Sequence, residues 1–542
     1  MIKYQIINDS TDNQYDIVVL TNNRAFVSDK IKEFYPFNES MIALSLPAFT
    51  KKAEMKEHSK TIKELLNKIQ PKVVIVTDSG YFKHLAGVDQ SDQLLGYVQT
   101  KENINYFFGI NWVRTLYDPQ LVERNEFCIG KVKEFLSGSY QPPGKDIIHF
   151  EEYPNTLESI KNWLDKLMAY PELAIDIETY DLKFHKAGLA SICLCWSKHE
   201  GIAFSIDVDA HTPNLPVRSL LKEFLTNYKG KCVYHNASFD VRTLIFQLWM
   251  NHPLDNESML EGLDVLTKNI DDTKIIKYLA TNSTAGNVLG LKPSTQEFTG
   301  KYAVENIEDV SSIPRHELLK YNLIDGLATL YLKEKYYSVM VKDNQLDIYQ
   351  NLMLPSLKVI IAMELTGMPM NLDKIKETQS YLCNLREDCL TVINTHPLIK
   401  ETEILLTDEE HESDYQFRKA KAQRKEKILP KERSSYPNVV FNAGSSKHIG
   451  KLLYDVLKLS VLDLTASKSP ATGGDTLKKL VNHTEEKELL NALIKLKAVD
   501  KILSAFIPSF LDGFQKQDGR IYLHGGFNIG GTVSGRLSSS SP

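Results

Sequence analysis

Short apolar runs alternate with amphipathic stretches through the first ~145 residues. "YDIVVLT" and "PKVVIVTD" are continuous enough for buried strands, while "HSKTIKELLNKI" spaces its apolar residues as a helix does. The pattern predicts an α/β domain over 1–145. "SGSYQPPGKD" then gathers Gly, Pro and Ser into a boundary at 137–146. Between 146 and 340 three strands follow closely, "LAIDIETYD", "ASICLCWS" and "GIAFSID", as in an antiparallel meander. "KCVYHN" is a fourth strand, leading into a helix that starts near Ser238. From 341 to 542 the pattern is mostly helical. "LPSLKVIIAMELTGMPMNLDKIKETQSYL" predicts a helix, a Gly-Met-Pro turn at 367–369 and a second helix. Residues 401–437 carry much charge, and their basic run "RKAKAQRKEKILPKER" is read as a solvated face. The expected fold class is multidomain α/β with a helical C-terminal region.

A chain of 542 residues exceeds one ordinary core, so three or four domains are expected. Hydrophobic content of 42% and charged content of 25% fit a folded protein. The net charge of −5 argues against wholesale coating of nucleic acid, yet leaves room for local basic strips. The six cysteines show no CxxC spacing; Cys193 and Cys195 share one face of a strand, and all six are read as reduced thiols rather than zinc ligands. "MIKYQIINDS" lacks an apolar signal core and no long apolar run follows. Neither export by a signal peptide nor a membrane partner is expected, and the expected location is cytoplasmic, in association with the nucleoid.

Three short motifs carry candidate chemistry. In "DIET", Asp176 and Glu178 stand at i and i+2 on a strand, so both carboxylates face one side while Ile175 and Ile177 face the other. In "HNASFD", Asn236 ends a strand and Asp240 falls in the first turn of a helix, where the helix dipole favours an anion. In "YNLID", Tyr321 and Asp325 lie one turn apart on one face of a helix opened by Pro314, and Gly326 removes bulk beside the acid. Taken singly, each reads equally well as a strand edge, a helix cap or an ordinary helix surface. Four carboxylates converging on one pocket would repel each other unless divalent cations neutralised them. Oxygen donors without Cys or His favour two Mg²⁺ or Mn²⁺ ions over Zn²⁺, suited to phosphodiester hydrolysis with the Tyr321 phenol orienting the water.

In this order and on these elements, DxE, NxxxFD and YxxxD resemble the DEDDy class of 3′–5′ exonucleases on an RNase H-like fold. The resemblance implies that Asp176, Glu178, Asp240 and Asp325 are metal ligands and that Tyr321 positions the water. Leu182, Asn236 and Phe239 match positions that hold the terminal nucleotide, and "DDTK" at 271–274 fits the segment between the second and third motifs.

Further along, "YQNLMLPSLKVIIAMELTGMPMNLDKI" and "FNAGSSKHIGKLLYDVLKLSVL" resemble the thumb of family A (DNA polymerase I-like) DNA polymerases. "LLNALIKLKAVDKILSAFIPSF" is similar to the long thumb helix, which implies that Lys495, Lys497 and Lys501 track a duplex backbone. "GRIYLHGGFNIGGTVSGRLSSSSP" resembles the thumb-to-palm segment, with Val533 read as buried and Arg536 as the arginine that reaches the primer terminus. The resemblance implies two DNA ligands, a single-stranded 3′ end and a primer–template duplex. The family's palm and fingers motifs do not appear before Pro542, so a C-terminal polymerase half or other replication proteins are expected partners, and polymerisation is not expected from this chain alone. Truncation, an intron or intein, and a polymerase made as two chains all remain open, and a viral source is suggested. In the first domain, "PKVVIVTDSGYFKHLAG" through "NWVRTLYDPQLVERNE" resembles the second half of iron–sulfur uracil-DNA glycosylases. Trp112, Val113 and Arg114 stand where those enzymes carry His-Pro-Ser, which implies an inactive, DNA-binding or interaction module. An unrelated α/β domain is the alternative. The competing functions are a free-standing DEDDy exonuclease for DNA or RNA, and a non-enzymatic DNA-binding scaffold.

Overall fold

Strands β1 (Tyr4–Asn8), β2 (Ile17–Asn22), β3 (Met41–Leu46), β4 (Val73–Val76), β5 (Gln99–Lys101) and β6 (Ile104–Phe108) form one sheet in the order β1-β3-β2-β4-β6-β5. Its central strands β3, β2, β4 and β6 are parallel, and β1 and β5 close the two edges antiparallel. Every residue of β3 and β4 is buried, as continuous apolar runs in a parallel sheet should be. The computed structural model describes residues 2–540 apart from 11–13, 48–51, 90, 283–285, 305–308, 424–429 and 466–467. Part of the basic run at 418–433 therefore lies outside the described residues, as does the end of the serine-rich tail.

A second sheet has the order β12-β11-β8-β9-β10-β7, built from β7 (Phe150–Glu152), β8 (Glu172–Glu178), β9 (Ser191–Ser197), β10 (Glu200–Ser205), β11 (Lys231–Tyr234) and β12 (Ile270–Asp272). β8, β9 and β10 form the antiparallel meander read from the sequence, and β11 and β12 join parallel to it. The chain divides into two compact units, Met1–Thr366 with Gly525–Ser541, and Gly367–His524. Residues 341–366 and Gly525–Ser541 thus group with the sheets.

Two local expectations change. The Gly-Met-Pro stretch is not a simple turn: Gly367 takes a left-handed φ of 68°, and Met368–Met370 then pairs antiparallel with Ile521–Leu523. Val533 is 40% exposed rather than buried, and the segment is tied down through its backbone, with Asn282 donating to the Val533 carbonyl at 3.0 Å. Among the described residues, no helix is long and apolar enough to cross a membrane.

One close contact positions the functional helix Arg315–Lys342. A Cβ on its Gly326 would stand 2.5 Å from the Cys193 sulfur and 2.7 Å from that of Cys195, both fully buried on β9. Helix propensity alone favours alanine over glycine by about 1 kcal/mol. Overpacking works against it by about 1–3 kcal/mol. Gly326→Ala should therefore lower the thermal midpoint of this unit, and Cys193→Ala with Cys195→Ala should reverse the sign of the effect. Calorimetry of the four proteins checks this; additive effects would refute the contact.

Candidate active site

The helices concerned, in chain order, are α1 (Leu121–Leu136), α2 (Ala237–Leu244), α3 (Thr273–Thr281), α4 (Leu291–Thr299) and α5 (Arg315–Lys342). On β8, Leu173, Ile175 and Ile177 enter the apolar core. The period of two therefore turns Asp176 and Glu178 to the other face. Asp325 on α5 reaches the same place, so that carboxylate oxygens of Asp176, Glu178 and Asp325 all lie within 4.8 Å of one another. Asp240, 3% exposed on α2, accepts the backbone N–H of Ile177 at 3.2 Å, between the two strand acids.

Asn322, within the "YNLID" motif, joins the site as well. Its side-chain amide donates to the Asp176 carboxylate at 2.7 Å and to the Asp176 carbonyl at 3.1 Å, while its oxygen accepts the Ser191 hydroxyl at 3.1 Å. The residue is fully buried. A polar side chain at a helix position that faces a sheet was the available signal, because a buried amide needs partners.

The cluster is electrostatically strained. Burial, then the neighbouring carboxylates Asp240, Asp325 and Glu178, hold the Asp176 carboxyl well above its usual range. Burial and the same kind of repulsion push Glu178 up to about 8. Burial likewise pushes Asp240 up to about 8 and Asp325 up to about 7. Lys292 on α4 opposes the shift at Glu178 and Asp325, and its ammonium lies 4.5 Å from the centroid of the Tyr321 ring. Tyr302 packs on Tyr321 from another side, with ring centroids 5.4 Å apart.

Asn236 adopts a left-handed φ of 68° where β11 turns into α2, and its side-chain oxygen accepts from Lys274 at 2.9 Å. Asp272 of "DDTK" fixes that corner, accepting from the N–H groups of Asn236 at 3.2 Å, Ala237 at 2.8 Å and Lys274 at 2.8 Å. Phe239 packs partly buried on the core with the Arg242 guanidinium 5.7 Å from its ring centroid, and Leu182 is 79% exposed. In the second unit the Lys497 amine is engaged, donating to the Thr472 carbonyl at 2.6 Å, whereas Lys495 and Lys501 are exposed. Arg536 is exposed, with its carbonyl accepting from the Thr532 hydroxyl at 2.8 Å.

The carboxylate oxygens gathered here on a strand and two helices are donors of the kind that suit a hard cation. Residues 152–338 match the family described as 3′–5′ exonuclease, and residues 413–542 match DNA polymerase family A. The DNA polymerase of Escherichia phage T5 is 23% identical over 448 residues, covering 79% of this chain and 45% of that protein. The DNA polymerase of Bacillus phage SP01 is 21% identical over 527 residues, covering 90% of this chain and 55% of that protein. DNA polymerase I of Pseudomonas aeruginosa is 33% identical over 119 residues, 22% of this chain and 13% of that protein. The chain spans about half the length of the two phage relatives. Two family matches in domain order, together with the phage polymerase relatives, support a DNA polymerase I-like protein with a 3′–5′ exonuclease domain.

Proposed function

We propose that residues 152–338 hydrolyse DNA from its 3′ end, as the proofreading exonuclease of a family A DNA polymerase. The carrying observation is the convergence of Asp176, Glu178 and Asp325 within 4.8 Å, with Asp240 hydrogen-bonded between the two strand acids. These four residues would hold two Mg²⁺ or Mn²⁺ ions: the donors are hard oxygens, and carboxyls that repel each other this strongly are ones that divalent charge would relieve. Bound cations of this kind polarise a phosphoryl group and promote attack by water.

The chain's own residues do the positioning. Asn322 fixes the Asp176 carboxylate by a 2.7 Å hydrogen bond, and Asp240 is fixed by the Ile177 N–H at 3.2 Å. The Tyr321 phenol orients the attacking water, its ring held by Tyr302 and the Lys292 ammonium. Leu182, Asn236 and Phe239 hold the terminal nucleotide. Lys497 and Arg536 are the proposed contacts to duplex DNA, and the exposed Lys495 and Lys501 offer further charge to a phosphate backbone. The proposed partners are a single-stranded 3′ end, a primer–template duplex and the polymerising part of a replication machinery, in a virus-encoded setting that the phage relatives favour.

The purified chain should shorten 3′-protruding single-stranded DNA in Mg²⁺ or Mn²⁺ and stop on addition of EDTA. Asp176→Ala with Glu178→Ala should abolish the activity while circular dichroism stays unchanged. Full activity in that double variant would sink the proposal.

Tyr321→Phe removes one hydrogen bond and keeps the ring, so about 1.4–3 kcal/mol of transition-state stabilisation goes and the rate falls roughly 10–100-fold. Asp325→Ala removes a proposed ligand one turn away and should cost far more. Single-turnover degradation of a labelled strand compares the two. Equal losses would mean that the helix, not the chemistry, was disturbed.

A further inference from the structure

A cavity of about 450 Å³ lies between α1 of the N-terminal domain and helices α3, α4 and α5 of the exonuclease domain, away from the carboxylate cluster. Two of its cations, Lys277 and Arg124, have carboxylates nearby but form no direct ion pair with them. Lys277 on α3 is 5% exposed; its amine donates to the Ser294 hydroxyl at 2.7 Å and lies 5.4 Å from the centroid of the Tyr336 ring. Arg124 on α1 donates to the Asp92 carbonyl and the Gln296 side-chain oxygen, each at 3.1 Å, and both acceptors are neutral. The four carboxylates of the wall have other direct partners, and Asp118 accepts the Gln120 N–H at 3.2 Å. Glu123 and Glu297 both pair with Lys335, and they accept the hydroxyls of Tyr336 and Tyr331 respectively. The Asp92 carboxylate lies 3.8 Å from Arg114. Among the described residues, no carboxylate pairs directly with Lys277 or Arg124.

A cation withdrawn from water costs free energy unless an anion compensates it. Burial lowers the pKa of both groups, bringing Lys277 down to about 8. Two such cations match one dianion, and a phosphate monoester carries about −1.5 to −2 charges with three acceptor oxygens. The guanidinium fork suits two of those oxygens. Phe127 and Tyr336 add aromatic surface to the wall, and the volume falls within the range of about 300–1,000 Å³ usual for small-molecule sites.

We propose that this cavity binds a phosphate monoester of mononucleotide size, its phosphate held between Lys277 and Arg124. The site is independent of the nuclease chemistry, and the test keeps the two apart. The full chain carrying Asp176→Ala and Glu178→Ala, in EDTA, is titrated calorimetrically with dAMP, inorganic phosphate and deoxyadenosine. One equivalent of dAMP should bind, phosphate should bind more weakly at the same site, and deoxyadenosine should not bind. Lys277→Met and Arg124→Gln should each weaken dAMP by about tenfold or more, as loss of a charge-assisted hydrogen bond implies. Lys277→Met should melt no lower than its parent without ligand, because it deletes a buried charge. Absence of binding by both phosphate ligands, or binding that survives both substitutions, would overturn the proposal. So would a Lys277→Met protein that melts lower, since the charge would then serve the fold. Phosphate binding as tightly as dAMP would make the ligand the free ion and overturn the mononucleotide.

Discussion

Because Gly326 has no side chain, helix α5 settles against Cys193 and Cys195 of β9, where a Cβ would stand 2.5 and 2.7 Å from the sulfurs. That approach brings Asp325, the preceding residue, to the acids of the adjacent strand β8 and lets Asn322 reach the Asp176 carboxylate at 2.7 Å. Tyr321 rides on the same turn. One small residue on a helix thus sets the distance between carboxylates from two elements, and the small sulfur-bearing side chains of β9 complete the fit. The two cysteines, adjacent in alternation on one strand face, are packing residues before they are anything else.

The arrangement costs the fold stability. Four carboxyls with raised pKa values oppose being charged together, and Lys292 offsets only part of this at Glu178 and Asp325. Such a cluster persists because its surroundings hold it. The Ile177 N–H grips Asp240, Asn322 grips Asp176, and the buried Glu364 ties α2 to the chain's last segment. Glu364 accepts from Arg242 at 3.0 Å and from the Phe527 N–H at 2.8 Å. Asp240 and Arg242 share α2, so the segment at Gly525–Ser541 is joined through one carboxylate to a helix that carries a proposed ligand.

How much of this was legible depended on the range of the interaction. The alternation that turns Asp176 and Glu178 to one face is a property of seven residues of strand, and the single turn joining Tyr321 to Asp325 is a property of five residues of helix. Both could be read directly. Asn322 sits inside the same motif and escaped notice, because its meaning lies in a partner 146 residues away. Glu364 within an apolar helix was similarly mute, since its contacts come from α2 and from residue 527. The strand at Met368–Met370 looked like a turn for the same reason. Gly-Met-Pro has turn chemistry, and only pairing with Ile521–Leu523 makes it extended. Val533 read as core because it is apolar, whereas the segment is anchored by its backbone carbonyl.

Helix α4 shows how two sites of opposite charge fit into one unit. Residues two apart on a helix point about 200° apart around its axis. Lys292 extends its ammonium over Tyr321, toward the carboxylates, while Ser294 turns its hydroxyl to the buried amine of Lys277. The anionic cluster and the cavity that holds Lys277 are therefore served by neighbouring residues of one nine-residue helix. The two proposals thus meet at α4: divalent cations would relieve the carboxylates, and an oxyanion would compensate Lys277 and Arg124.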